Sequence, residues 1–207
     1  MKNYIIIIAL LYCSSTSLLP AQSWKLSKTP ANYDVWDITM TSKKHAAAAI
    51  WDSHSGANAK IIVTKDGGKS WTEVYNEIFR GATAIDRVDN TTTVAVGGAN
   101  NYLACWKSSN GLTSFSPTMS ADTYIQGKPS FWSVDFVSST IGYGGASEGK
   151  ILKTTNAGNS WIYLKDTFSN GAIIAINFVT SELGYIIKTD KSSEYFTGKE
   201  LYKTTDG

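Results

Sequence analysis

Three aspartates and one asparagine, Asp37, Asp86, Asp135 and Asn177, occupy the same place in four successive segments of the sequence. If those segments are arranged around an axis, their side chains form a ring of oxygens that can bind a cation or a polar ligand. The alternative is that each side chain caps backbone groups or faces water. The regular recurrence favours this second interpretation, because a binding site usually interrupts a repeat whereas a structural device follows it.

A second pattern recurs with nearly the same spacing and sets the organisation of the chain. Residues 64–71 read Thr-Lys-Asp-Gly-Gly-Lys-Ser-Trp, residues 154–161 are a close copy, residues 108–115 are a degenerate copy, and residues 204–207 begin a fourth. The copies start 44, 46 and 50 residues apart. A period of this size predicts a solenoid or propeller built from one repeated unit. The residues that define the pattern are Thr64, Asp66, Gly68, Trp71, Ser108, Asn110, Phe115, Thr154, Asn156, Gly158, Trp161, Thr204 and Asp206.

The chemistry of this pattern is that of a hairpin turn. Asp66 can accept hydrogen bonds from backbone amides of its own turn, and asparagine takes its place in two copies. Gly67 and Gly68 tolerate the positive φ that such turns require. Trp71 and its counterpart Trp161 can each bury a large ring between neighbouring units. We therefore assign these residues a structural role.

The pattern Ser/Thr-x-Asp-x-Gly-x-Ser/Thr-Trp resembles the Asp-box (BNR-type) repeats of sialidases, sortilin-type receptors, xyloglucan-degrading glycoside hydrolases and the photosystem II assembly-factor family. A Gly-Tyr signature shared by residues 141–145 and 183–187 is most similar to the assembly-factor type. The resemblance covers about residues 23–207 and implies a β-propeller. In those families the box is a turn away from the ligand face, so the resemblance is specific for a fold and much less so for a function.

Each repeat contains four short strand candidates separated by turn signals, which predicts an all-β propeller of four-stranded antiparallel blades with the box turns between strands three and four. The predicted blades cover residues 31–76, 81–119, 130–165 and 172–207. Residues 22–28 begin like an outer strand, since Ser23-Trp24 matches Ser70-Trp71, and are predicted to close a blade. We expect these four blades to be part of a larger ring that is truncated at its C-terminus. The alternative is a four-bladed ring closed by Trp24.

The first 21 residues are predicted to be a secretory signal peptide, with Lys2, an apolar core over residues 4–12 and a cleavage site after Ala21. This predicts a secreted, cell-surface or periplasmic protein with no membrane insertion after cleavage. The full chain has 19 basic and 17 acidic side chains, and cleavage would remove one basic residue, Lys2. Because the remaining chain is nearly neutral, a nucleic-acid partner is not expected. Cys105, the one cysteine after cleavage, is expected to be a small buried apolar residue.

Residues that break the repeat are better candidates for a binding site. In a propeller the loops after strand four and between strands two and three lie on the face opposite the box turns. Aromatic rings beside polar groups on that face suit glycans or extended peptides. The predicted ligand-binding residues are Tyr33, His54, Arg80, Tyr124, Trp132 and Tyr195.

The sequence favours a binding or scaffold module, with a protein or glycan ligand, over an enzyme. A sialidase site needs three arginines, and this chain has Arg80 and Arg87 alone. No two acids are paired as a glycoside hydrolase requires, and no catalytic residue, metal ligand set or cofactor motif is predicted. The alternative is part of a xyloglucanase- or sialidase-like hydrolase whose catalytic acids lie partly outside this chain.

Overall fold

The structure, a computed structural model, describes residues 25–29, 34–52, 58–77, 81–99, 102–119, 130–164, 168–190 and 198–207. Within these ranges the chain forms fifteen strands and no helix. The strands make four separate antiparallel sheets, each following the chain order of its strands. The predicted all-β fold of four successive blades is therefore confirmed.

Each sheet is built from short strands that are consecutive in the sequence. Blade 1 consists of β1 (Asp34–Met40), β2 (Ala46–Asp52), β3 (Asn58–Thr64) and β4 (Thr72–Glu77). Blade 2 consists of β5 (Gly81–Arg87), β6 (Thr93–Ala99), β7 (Tyr102–Ser108) and β8 (Ser116–Pro117). Blade 3 consists of β9 (Phe131–Phe136), β10 (Gly142–Ala146), β11 (Ile151–Thr154) and β12 (Ile162–Tyr163). Blade 4 has three described strands, β13 (Ile173–Phe178), β14 (Gly184–Thr189) and β15 (Lys199–Thr204).

The core of the molecule lies between the blades, where neighbouring sheets pack face to face. Trp106 and Phe115 are buried between blades 1 and 2, and Phe131 and Trp161 are buried between blades 2 and 3. Between blades 3 and 4 the ring of Tyr143 stacks on a phenylalanine with 3.7 Å between centroids. Blades 2 and 3 each bury one apolar face against the preceding blade and the other against the following blade.

Glycine allows the blades to approach closely at the second strands. A Cβ atom on Gly145 in β10 of blade 3 would lie 2.6 Å from the carbonyl oxygen of Ile173 in β13 of blade 4. The alanine run Ala46–Ala49 in β2 is likewise buried. Small residues at these positions let adjacent sheets pack closely around the axis.

The recurrent turns, hereafter the repeat turns, connect the third and fourth strands of blades 1 to 3, as predicted. In the first, the Asp66 carboxylate accepts hydrogen bonds from the amides of Lys69 and Ser70 at 2.9 and 3.0 Å, and from the Ser70 hydroxyl at 2.6 Å. The Thr64 hydroxyl donates to the same carboxylate and accepts from the amide of Gly68. These donors hold the pKa of Asp66 well below its usual range.

The degenerate copies keep this geometry with neutral side chains. Asn156 accepts the amide of Ser160 at 2.9 Å and donates to its hydroxyl, and Asn110 does the same with Ser114. Leu112 adopts φ = 67° at the position that Gly68 and Gly158 occupy in the other two turns. The turn therefore depends on hydrogen-bond geometry rather than on a charge, which agrees with a structural role.

Residues 25–29 lie against the first repeat turn and make no strand pairing with a described residue. The Ser27 hydroxyl donates to the carbonyl of Gly68 and accepts from the Trp71 indole N–H at 2.8 Å. The predicted signal peptide and residues 22–24 of the predicted closing strand lie outside the described residues.

Candidate binding site

The first strands of the blades lie side by side at the centre of the molecule, and each contains a β-bulge near its start. β1 packs beside β5, β5 beside β9, and β9 beside β13, so together they form the hub of the propeller. The pairing with the second strand skips one residue in each case. A bulge re-aims the side chain of the extra residue. The bulged residues are Trp36, Thr83, Trp132 and Ile174.

Two of these bulged residues form an aromatic pair. The rings of Trp36 and Trp132 lie 6.0 Å apart between centroids and are tilted by 49°. Trp36 is 41% exposed, and Trp132 is partly buried and donates its indole N–H to the Ser147 hydroxyl at 2.9 Å. Both residues lie near the beginning of a first strand, which is the end of the hub remote from the repeat turns. The pair is a rigid aromatic surface, because both side chains are carried by strands rather than by loops.

The recurrent aspartates lie deeper in the hub and connect neighbouring blades. Asp37 accepts the backbone N–H of Ile85 in blade 2 at 2.9 Å. Asp86 accepts that of Phe136 in blade 3 at 2.7 Å, and Asp135 accepts that of Phe178 in blade 4 at 2.6 Å. The prediction that the recurrent aspartates cap backbone groups is therefore confirmed. Each carboxylate accepts a backbone N–H group of the following blade.

Partial burial raises the pKa of each of these carboxyl groups. For Asp86 burial raises the pKa to about 6, the backbone N–H groups of Phe136 and Arg87 oppose the shift, and the negative charges of Asp135 and Asp37 add to it. The pKa values of Asp37 and Asp135 are also raised, again mainly by burial. The raised pKa values follow from the burial of the carboxyl groups between blades, which outweighs the effect of the backbone N–H groups that bond them.

One of the six predicted ligand-binding residues, Trp132, lies in the described part of the chain, and it is in the aromatic pair. Tyr33, His54, Arg80, Tyr124 and Tyr195 lie outside the described residues. Trp36 is not among the six predicted ligand-binding residues. The sequence feature that could have identified Trp36 is its position directly before Asp37, because the other repeats have Ile or Val at that position.

Other chemistry in the described residues is limited. Cys105 is buried, as predicted, and burial raises the pKa of its thiol to about 11, so it is not a nucleophile at neutral pH. Within the described ranges no cluster of His, Cys, Asp and Glu side chains could hold a metal ion. Nor does any helix there have the length and apolar character to span a membrane.

Solved structures with a similar fold are propeller proteins of two kinds. YCF48 bound to D1 peptide is 14% identical with a TM-score of 0.61, over 84% of this chain and 52% of that chain. The GH74 xyloglucanase from Xanthomonas campestris is 15% identical with a TM-score of 0.64, over 83% and 29%. An ancestral GH74 enzyme is 15% identical with a TM-score of 0.66, over 88% and 25%.

This chain therefore spans about half of the YCF48 chain and less than a third of the GH74 chains. No protein-family model matches the sequence, and no characterised protein matches it in a sequence search. At these identities the structural neighbours establish the β-propeller fold.

Proposed function

We propose that this protein is a non-catalytic binding module whose ligand, an extended peptide or a glycan, contacts Trp36 and Trp132. The observation that carries the proposal is the aromatic pair at the bulged positions of β1 and β9. Indole rings give a large contact area at little entropic cost, and tryptophan is the residue most enriched in binding hot spots. Counted from the recurrent aspartate or asparagine, blades 2 and 4 hold Thr83 and Ile174 at the position of Trp132, and Ile85 and Ile176 at the position of Trp36, so the pair interrupts the repeat.

A peptide is the favoured ligand. The YCF48 structure contains a bound D1 peptide, so a protein of similar fold binds a peptide. The Ser147 hydroxyl, which accepts the Trp132 indole N–H and bonds the backbone of Ser130, orients this ring for such a ligand. The chain is near neutral in charge, which favours recognition by ring stacking and hydrogen bonds over recognition by a charged patch.

The repeat turns are proposed to be Asp-box turns with a purely structural role, on the face opposite the ligand. Their side chains are engaged in bonds within the turn, as the contacts of Asp66 and Asn156 illustrate. Residues 1–21 are proposed to direct the protein to secretion, the cell surface or the periplasm.

Glycoside hydrolysis is the second candidate function, because GH74 enzymes share the fold and Asp86 has a pKa of about 6, suited to a general acid. The bonding of Asp86 argues against this role. Its two oxygens accept backbone N–H groups of Arg87 and Phe136, both at 2.7 Å, so the group is committed to the scaffold. A hydrolase would therefore need acids other than the recurrent aspartates.

The proposal is tested by selecting ligands from random phage-displayed peptides and from an array of oligosaccharides that includes xyloglucan fragments. Selected ligands are then titrated against wild type, Trp36→Ala and Trp132→Ala. We expect each substitution to weaken binding about tenfold or more, as removal of a central tryptophan does. Ile162→Ala is the matched control, because Ile162 is an apolar residue of an outer strand and 62% exposed.

Melting temperatures show that each variant is folded, and reducing sugar released from xyloglucan is assayed in parallel. Ligands that bind the two tryptophan variants as tightly as wild type would refute the site. Sugar release by purified wild type would refute the non-catalytic assignment, and its persistence in Asp86→Asn would assign the activity to other acids.

A further inference from the structure

Four lysines lie close together in two turns of blade 1, at the end of the molecule that carries the repeat turns. One turn connects β1 to β2, and the other is the first repeat turn. The residues are Lys43, Lys44, Lys65 and Lys69, hereafter the lysine cluster, and all four are exposed. Exposed cations that are grouped on one face create a local positive potential, even where the whole chain is nearly neutral.

Hydrogen bonds fix the two turns to each other, so the lysine cluster has a rigid base. The amides of Thr41 and Ser42 donate to the carbonyl of His45 at 3.0 and 3.2 Å and close the first turn. The amide of Gly67 in the repeat turn donates to the carbonyl of Lys44 at 2.9 Å. The backbone of the four lysines is therefore held in one region of the surface.

The lysine cluster interrupts the repeat, although the bond that joins the two turns recurs in every blade. The equivalent bonds in blades 2, 3 and 4 join Gly111 to Thr91, Ala157 to Thr140 and Gly207 to Glu182. Counted from these bonds, the residues that replace the lysines in the other blades are Asn90, Thr91, Ser109, Thr113, Ser139, Thr140, Thr155, Asn159, Ser181, Glu182 and Thr205. None of them is basic, so the fold requires the turns but not the lysines.

Little negative charge lies within the lysine cluster. Asp66 is the one acidic residue of the two turns, and its carboxylate accepts hydrogen bonds within its own turn. Within the described residues no ion pair involves a lysine of the cluster. On the same face blade 2 has Arg87, Lys107 and Asp89, so it does not reverse the sign of the charge. The end of blade 1 thus presents four positive charges against one negative charge.

The composition of this surface is unlike that of a protein interface. Lysine is depleted in the interfaces of protein complexes, whereas aromatic residues and arginine are enriched. Residues 41–45 and 64–71 contain no arginine and no exposed large apolar side chain. Binding to this surface therefore rests on charge, and lysine, as a point charge on a flexible stem, suits a partner with many anionic groups.

The shape of the surface favours a flat partner over a polymer chain. A groove of about 570 Å³ lies beside the first repeat turn and is large enough to accept a chain. Lys65 is the one member of the lysine cluster that lines it, and Asp66 and Glu73 line it too. An anionic polymer in this groove would meet two negative charges and one positive charge. The other three lysines lie outside the groove, on turns at the end of the blade, where an anionic plane can approach them together.

We infer that the lysine cluster binds the surface of an anionic lipid bilayer. Basic clusters of about four to eight residues are attracted to anionic headgroups, and each residue strengthens binding about fivefold. No exposed large apolar side chain accompanies the cluster in the two turns, so the protein lies on the bilayer without entering it. The repeat turns then face the bilayer, and Trp36 and Trp132 at the other end of the hub face away from it. Binding to the bilayer is independent of the proposed ligand site.

The test is binding of the purified protein to vesicles of phosphatidylcholine alone and to vesicles of phosphatidylcholine mixed with phosphatidylglycerol. The measured quantity is the ratio of the two partition coefficients, because any apolar contribution of residues 1–21 is common to both kinds of vesicle and cancels. We expect wild type to prefer the anionic vesicles about a hundredfold at low salt. The preference is expected to disappear near 1 M salt, where the screening length is about 3 Å.

Substitution of all four lysines by glutamine is expected to reduce this preference about a hundredfold, whereas arginine at the four positions retains the charge and the preference. The pair Lys43→Gln and Lys44→Gln is expected to reduce it about tenfold or more. Lys150→Gln with Lys199→Gln is the matched control, because it removes the same charge from the opposite end of blades 3 and 4 and is expected to change the preference less than about twofold. Melting temperatures show that each variant is folded.

Equal partition of wild type into the two kinds of vesicle would overturn the inference, and so would equal losses in the two pairs of substitutions. Cluster-dependent binding to dextran sulfate or duplex DNA by a protein that does not prefer anionic vesicles would overturn it as well, because the partner would then be a soluble polyanion.

The orientation on the bilayer is tested by acetylation of wild type followed by mass spectrometry. Anionic vesicles are expected to slow the reaction of the lysine cluster severalfold and to leave Lys150 and Lys199 unchanged. Equal protection of both groups, or protection of neither, would overturn the assignment of the repeat-turn face to the bilayer.

Discussion

Asp86 is expected to make the protein less stable as the pH rises from about 4.5 to about 7. Burial raises its pKa to about 6 from an ordinary value of 3.8, so the folded protein binds the proton more tightly than the unfolded chain does. The stabilisation by the proton is complete below the unfolded pKa and is lost as the pH rises through about 6. Linkage over that pH interval gives about 2 kcal/mol. We expect about 1 kcal/mol after solvent screening, because the group is partly exposed.

The perturbation is Asp86→Asn, which removes the titration and keeps the size of the side chain. Asparagine offers one acceptor oxygen where the carboxylate accepts two N–H groups, from Arg87 and Phe136, so the variant is expected to be less stable than wild type throughout. Its decline in stability between about pH 4.5 and 7 is expected to be smaller than that of wild type by about 1 kcal/mol. Urea unfolding at intervals across this range, followed by tryptophan fluorescence, measures both quantities.

Asp89→Asn is the control for this experiment. Hydrogen bonds, the first of them from the amide of Thr91, lower the pKa of Asp89, so its contribution is lost only as the pH falls below about 4. Its pH profile is therefore expected to parallel that of wild type above about pH 4.5. A wild-type stability that rises with pH over this interval, or an Asp86→Asn profile parallel to wild type, would refute the burial argument for the hub carboxylates.

Three further predictions concern the repeated structural residues. Trp161→Ala should lower the free energy of unfolding by about 3–5 kcal/mol in urea titrations, whereas Ile162→Ala next to it should change it by less than about 0.5 kcal/mol; equal effects would contradict the packing described. Gly97→Ala should lower the free energy of unfolding by about 3 kcal/mol, because the new Cβ atom would collide with backbone atoms. Gly111→Ala should lower it by about 1 kcal/mol, because Gly111 has φ = 68° but no atom near the new Cβ. Asp66→Ala should lower the melting temperature without weakening any ligand bound at the hub, and weaker binding at an unchanged melting temperature would contradict its structural role.

Most of the fold could be predicted from the sequence because the repeat fixes it locally. The turn chemistry of residues 64–71 needs partners within the same turn, and the hydrogen bonds of Asp66 to Lys69 and Ser70 are of that kind. Turn signals between short strand candidates then predict four strands in each repeat. The degenerate copy around Asn110 was recognisable because its neutral amide can satisfy the same donors.

The candidate site was much less predictable, since it depends on contacts between distant parts of the chain. A β-bulge has no strong sequence signal, yet bulges near the start of β1 and β9 bring Trp36 and Trp132 together. The partners of the recurrent aspartates are about 40 to 50 positions away in sequence, as the bond from Ile85 to Asp37 shows. Their recurrence could be read from the sequence, but the direction of the caps, from each blade to the next, could not.

The division between scaffold and site follows from how this protein uses its repeat. Residues that recur, such as Asp86 and Trp161, have partners in an adjacent blade or within their own turn, so changing one breaks a contact that the architecture requires. The bulged residues of the first strands are less uniform, and they are Trp36, Thr83, Trp132 and Ile174. Trp36 lies one position before its recurrent aspartate and Trp132 lies three positions before its own, so the two tryptophans do not belong to one recurring position. A change of residue type at the bulges can therefore alter the surface at this end of the hub, while the repeat turns and the caps between blades maintain the fold.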